Sequence, residues 1–233
     1  MEPFIISEDS SILNNINYPS IDIIKKLNFS LKPYEKSMFL HLYFTEGIPY
    51  AFKDNPLLYE KIRNWLAYNL NIDDKQITII GSARIGYSLS PDKIAKKFCD
   101  QSDLDFLIVS SDIFKKLVKD FEKWVNNFKL EIQKRNTINE YQAKLLQNIE
   151  TLDSSIPRGF IDIKMIPNIK NNSFISLYNN LMWQVIERLK ITNNAPRPKK
   201  ASIRVYSSWK NCLLQMTKNL NYLFIQLEDN DKK

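Results

Sequence analysis

Histidine and cysteine are nearly missing from this chain, which has one histidine and two cysteines among 233 residues. His41 sits among Met38, Phe39, Leu40, Leu42 and Phe44, with no Cys, Asp or Ser motif around it, and reads as a packing or partly exposed residue. A histidine-rich zinc site and a Ser-His-Asp triad are thereby set aside. Cys99 and Cys212 lie far apart, without metal-ligand spacing, and are too few for a disulfide framework, so both are expected as free thiols. No apolar run approaches the length that crosses a bilayer, which argues against a membrane partner. The opening Met1-Glu2-Pro3-Phe4 lacks the basic and then apolar pattern of a secretory signal, and a cytoplasmic protein is expected. A Gly-x-x-x-x-Gly-Lys-Ser/Thr phosphate loop is missing too, and no internal repeat or extended low-complexity segment stands out.

What is present is an ordinary globular composition, 44% hydrophobic and 25% charged, in a chain long enough to bury a sizeable core as one compact unit. The formal charge of +7 and a pI near 9.2 favour an anionic partner such as a nucleotide, RNA or DNA, although part of the lysine excess reads as solvated surface.

Residues 1–55 read as an N-terminal arm followed by a helix over 33–45, stopped by Glu46-Gly47-Ile48-Pro49. Asn55 is placed to cap a second helix with Pro56 at its first position, and Leu58, Ile62, Trp65, Leu66 and Leu70 recur at helical spacing. A strand over 76–80 runs into Gly81-Ser82, and 88–102, with Pro91, Lys93, Lys96 and Lys97, reads as a loop or flap. A strand over 103–110 follows, then a helix for which Asp112 is a cap and Phe114, Leu117, Phe121, Trp124, Val125 and Phe128 the apolar stripe. A polar helix over 137–150 and an alternating strand over 158–166 complete a core assigned to 56–170. Residues 171–233 are expected as a helical C-terminal lobe, with helices over 173–190 and 201–227.

The chemistry concentrates in Ser102-Asp103-Leu104-Asp105. In a strand the period of two puts Asp103 and Asp105 on one face, with alpha carbons about 6 to 7 Å apart. Neighbouring carboxylates repel, so either a cation sits between them or they lie at a solvated sheet end. Magnesium is the first choice, since carboxylate and phosphate oxygens are the hard ligands it prefers. Gly81 lets backbone N–H groups approach a phosphate, and Ser82 adds a hydroxyl at the start of a helix. Asp162, mid-strand in an apolar setting, is the candidate third carboxylate, expected on a strand beside the first. Asp153 is its competitor but reads as part of a turn.

Gly81-Ser82-Ala83-Arg84-Ile85-Gly86-Tyr87, then Asp103-Leu104-Asp105, then Asp162 on a later strand, resembles the DNA polymerase beta superfamily of nucleotidyltransferases over about residues 56 to 166. That superfamily includes minimal nucleotidyltransferases, cyclic-oligonucleotide synthases and oligoadenylate synthases. The resemblance implies an α+β fold with a mixed sheet, helices on one face and a helical lobe closing the cleft. It also implies two magnesium ions (or manganese) held by Asp103, Asp105 and Asp162, with the triphosphate on Gly81 and Ser82.

The implied reaction is transfer of a nucleoside monophosphate from an NTP or dNTP to a hydroxyl, releasing pyrophosphate and making a nucleotide or short oligonucleotide in bacterial signalling or phage defence. The alternatives are a toxin-type transferase acting on tRNA or protein, and a non-catalytic nucleotide-binding module. A nucleic-acid acceptor and an effector or antitoxin protein are the further partners. The spacer from Ser82 to Asp103 is longer than in most minimal members, which makes 88–101 an insertion; Lys93 reads as solvated, and Lys96 and Lys97 as solvated or phosphate-facing. Arg84 is either a triphosphate contact or a surface residue of the short helix. Lys199, Lys200, Arg204 and Lys210, interleaved with Tyr206 and Trp209, offer a base-stacking and phosphate-binding wall, in which Lys200 and Arg204 are the nucleotide-binding candidates. Helical spacing of Ile203, Tyr206, Leu213, Met216, Leu220 and Leu223 competes with that reading and makes the aromatics core.

Overall fold

The computed structural model describes residues 11, 14, 17–30, 32–134, 137–167 and 173–231. Its elements, in order, are α1 (Ile21–Ser30), α2 (Pro33–Leu40), a π-helical turn His41–Thr45, α3 (Pro56–Leu70), β1 (Ile77–Ile80), the single turn α4 (Ser82–Ile85), β2 (Asp103–Val109), α5 (Ser111–Gln133), α6 (Glu140–Ser155), β3 (Phe160–Asp162), α7 (Ser173–Ile191), β4 (Lys200–Tyr206) and α8 (Trp209–Asp231). The class is α+β, built on a four-stranded mixed sheet in the order β1-β2-β4-β3. β1 and β2 are antiparallel, β2 and β4 parallel, and β4 and β3 antiparallel.

Local chemistry accounts for three of the helix starts. Asn55 accepts a hydrogen bond from the Leu58 amide and Pro56 opens α3, as the sequence indicates. Ser110, rather than Asp112, caps α5 by accepting from the Ile113 amide; Asp112 lies in the first turn, where its charge still suits the helix dipole. Asn139 and Gln142 form a capping box that starts α6, and the helix runs through Asp153, so the turn expected there is helical. The strand expected over 158–166 is shorter: it ends at Asp162, and Ile163–Met165 is a 3-10 turn.

The largest correction concerns the C-terminal segment. Residues 200–206 form β4 in the middle of the sheet, so 171–233 is not a helical lobe, and the terminal helix begins only at Trp209. The reason is visible in the side chains: Ile203 and Val205 are buried on one face of the sheet, while Ser202, Arg204 and Tyr206 alternate onto the other. The strand ends at Tyr206, and the Ser208 hydroxyl accepts from the Asn211 amide at the start of the terminal helix.

Helices cover both faces of the sheet, where one was expected. Ile77, Ile79, Leu104, Phe106, Ile108, Ile161, Ile203 and Val205 form one face, packed against α3, α5, α6 and α7 in the larger core. Full burial of a side chain such as Leu104 contributes about 1.5–3 kcal/mol. Leu107, Val109, Phe160 and Tyr206 belong to the second face and meet α1, α2, the π-helical turn and α8. Asp103, Asp105 and Asp162 share that second face with them.

Candidate functional site

The start of β2 is where the second face opens. Ile80, the last residue of β1, is in register with Asp105, so the turn after β1 passes directly beside that carboxylate. Gly81 has φ +72, and a Cβ built there would lie 3.5 Å from Asp105 Oδ2. The conformation suits glycine, and with no side chain there the turn stands bare beside the carboxylate. α4, which follows, is a single turn, so it lacks the macrodipole of a full helix and the Gly81-Ser82 backbone itself must do any anion binding.

A cavity of about 830 Å³ opens over this face, within the size range of small-molecule sites. Gly81, Ser82, Asp103, Asp105 and Asp162 line it. So do Lys93, Lys96, Lys164, Lys199, Lys200 and Arg204, six basic groups against three acidic ones among the described residues, which makes the cavity a place for an anion. Lys93 and Lys96 therefore face the cavity while remaining exposed, and Lys97 is not part of its lining. Their loop is held by backbone bonds from Ser88 to Lys96, from Ala95 to Ser88 and from Phe98 to Gly86.

Each acid meets a donor. Lys200 Nζ lies 3.4 Å from Asp103 Oδ2, the Ser202 hydroxyl donates to Asp105 Oδ1 at 2.6 Å, and Arg204 Nη2 donates to Asp162 Oδ2 at 3.0 Å. Lys164 adds a second cation 3.4 Å from Asp162 Oδ2. Burial alone would lower the Arg204 guanidinium, but the Asp162 carboxylate, with Tyr206 beside it, outweighs burial and raises its pKa above the usual value. Asp162 Oδ1 and Arg204 Nε are buried without hydrogen-bond partners.

Asp162 does not stand beside the aspartate pair. Its strand pairs with β4, which lies between it and β2, and its register partner is Arg204, two residues beyond the partner of Asp105. Strand spacing and rise then set the alpha carbons of Asp162 and Asp105 about 12 Å apart. Among the described residues no three His, Cys, Asp or Glu side chains gather as a metal-ligand group. Asp103 and Asp105 nevertheless fit magnesium, which is commonly bound by one or two carboxylates together with substrate phosphate and water.

Arg84 is not a surface residue, and it is not part of the cavity lining. It is 2% exposed, and its guanidinium donates to the Tyr43 and Gly47 carbonyls, tying α4 to the π-helical turn. Burial lowers its pKa from the usual value. His41 is exposed at the start of that turn, and both cysteines are free thiols, Cys99 exposed and Cys212 buried.

Ser202, Lys164 and the β4 origin of Lys200 and Arg204 were missed by sequence reasoning. The alternation in Ser202-Ile203-Arg204-Val205-Tyr206 was the available signal for the strand. Among the described residues, no helix is long and apolar enough to cross a membrane. No family model, curated protein or solved structure matches this chain.

Proposed function

We propose that the cavity is the active site of a metal-dependent nucleotidyltransferase, which moves a nucleoside monophosphate from an NTP or dNTP to a hydroxyl acceptor and releases pyrophosphate. The observation that carries this reading is the approach of Gly81 to Asp105: a glycine turn open to phosphate lies against the second of two carboxylates on one strand face, inside a net basic cavity.

The triphosphate lies along the Gly81-Ser82 turn, where the backbone amides and the Ser82 hydroxyl would donate to it. Lysines 93, 96 and 199 supply positive charge around the mouth. Asp103 and Asp105 are the residues that would hold magnesium or manganese, which when bound supplies Lewis acidity at the phosphoryl oxygens. The acceptor oxygen forms a bond to the α-phosphorus as the bond to the pyrophosphate oxygen breaks, and the hydroxyl proton passes to water at the open mouth. Such a transfer asks the protein mainly for position and charge, which is what these residues offer. Ser202 orients Asp105 by donating to its Oδ1. Asp162, paired with Arg204 and Lys164, shapes the inner wall and is not assigned to the cation.

The test is to incubate the full chain with each labelled NTP and dNTP plus magnesium, with and without tRNA or DNA, and to resolve the products. Pyrophosphate with a matching nucleotidylated product supports the reading and identifies the acceptor. No pyrophosphate under any of these conditions overturns it.

A further inference from the structure

β4 carries Lys200, Ser202 and Arg204 on alternate residues of the face it shares with the acids, and each meets one acid on a neighbouring strand. β4 thereby sets an ammonium against Asp103 and a neutral hydroxyl against Asp105. This arrangement has a cost for binding: oxygens that a cation needs and an ammonium that a phosphate needs are engaged with one another. The contacts differ in how easily they open. The Lys200–Asp103 pair is exposed, with 64% and 38% of the side chains accessible, whereas Asp162 is buried against Arg204 at 5% accessibility. Exposed ion pairs are weak and exchange readily; a buried pair loses one member only at substantial cost.

We propose that Lys200 is an exchangeable counter-ion of the site. It neutralises Asp103 in the free protein and moves to the triphosphate when a divalent cation takes its place. The inference rests on the nucleotidyl-transfer reading and adds how its ligands are selected: cation and triphosphate bind well as a complex and poorly as separate species. A divalent ion approaching Asp103 alone meets the ammonium of Lys200 a few ångströms away, and a triphosphate approaching alone meets two carboxylates. When both arrive, Lys200 gains a phosphate partner as it gives up Asp103. By linkage the coupling is reciprocal, each ligand raising affinity for the other by the same factor. Ser202, uncharged, has no such conflict, and Arg204 stays with Asp162.

The experiment uses the full chain and three proteins, wild type, Lys200→Met and Lys200→Arg, each checked for an unchanged circular dichroism melt. Manganese alone is titrated and read by loss of the free-ion EPR signal. The preformed manganese complex of inorganic triphosphate is then titrated calorimetrically, a probe that needs no knowledge of the base. Lys200→Met is expected to bind manganese alone two- to five-fold more tightly than wild type, the scale on which an exposed ion pair competes. It should bind the manganese–triphosphate complex at least ten-fold more weakly, and Lys200→Arg should return both affinities toward wild type. If wild type takes up the complex but Lys200→Met binds manganese no more tightly, the counter-ion role alone is overturned. If wild type does not take up the complex, the nucleotidyl-transfer reading falls with it.

Discussion

Arg204 and Asp162 face each other across β4 and β3, joined at 3.0 Å, and each leaves one buried polar atom, Arg204 Nε and Asp162 Oδ1, without a partner. The pair holds Asp162 to the inner wall of the cavity. Asp162→Asn leaves the Arg204 guanidinium without its carboxylate and is expected to lower stability by about 2–4 kcal/mol, whereas Arg204→Met leaves Asp162 with the exposed Lys164 and should cost less. The double variant should lose less than the sum, with a coupling of about 1–3 kcal/mol, measured by urea denaturation of all four proteins. Additive losses would mean that the two side chains do not support each other.

Arg84 ties the chain before β1 to the turn after it, through the Tyr43 and Gly47 carbonyls. Arg84→Met removes two charge-assisted hydrogen bonds, one buried and one part-buried, so stability should fall by about 2–4 kcal/mol. Affinity of the folded fraction for a nucleoside triphosphate should stay within a factor of two. A selective loss of nucleotide affinity with unchanged stability would return Arg84 to the phosphate site.

At Gly81, φ of +72 strains any L residue, and the added Cβ of Gly81→Ala would sit 3.5 Å from Asp105 Oδ2. The backbone strain costs about 1–3 kcal/mol, visible as a lower melting temperature. The methyl also fills the space assigned to phosphate, so triphosphate affinity should drop at least ten-fold at temperatures where the variant is fully folded. An affinity equal to wild type would remove Gly81 from the cradle.

Burial pushes the Cys212 thiol and the Tyr206 phenol each up to about 12, from ordinary values of 9.0 and 10.0. Between those limits the unfolded chain releases protons that the folded protein retains. Their contribution to stability is therefore complete below about pH 9 and is lost as pH rises toward 12. Urea midpoints should be flat from pH 7 to 8.5 and fall steadily above pH 9. The same burial should leave Cys212 unreactive toward iodoacetamide at pH 8 until the protein unfolds. Cys99 should be labelled at once, because it is exposed and its pKa is lowered by hydrogen bonds from the Gln101 backbone and the Ser102 side chain. Equal labelling of both thiols in the folded protein would contradict this.

The β1 and β2 strands were legible because each is a short apolar run with a break after it, Gly81-Ser82 after one and the helix start after the other, which the sequence placed at Asp112 and the structure caps with Ser110. The spacing of Asp103 and Asp105 on one face follows from strand geometry alone. β4 was obscured because Ile203 and Tyr206 also fall in step with Leu213, Met216, Leu220 and Leu223, so its alternation merged into the helix that follows. Strand order is a matter of long-range pairing, and nothing local in 158–166 or 200–206 indicates that β4 separates Asp162 from the aspartate pair. The inward turn of Arg84 is hidden for the same reason, since both carbonyls it meets lie about forty residues earlier in the chain. The carboxylates were readable from sequence; that Lys200, Ser202 and Arg204 meet them from one strand was not.

The most direct measurement is pyrophosphate release from a mixed NTP pool with magnesium, comparing wild type with Asp105→Asn, whose substitution keeps the side-chain volume and the Ser202 contact within reach. The account predicts release that requires the divalent ion, accompanied by a nucleotidylated product, and falls at least a hundred-fold in Asp105→Asn while the melting temperature changes little. Release that is equal in the two proteins, or none from wild type with any NTP or acceptor, would contradict it.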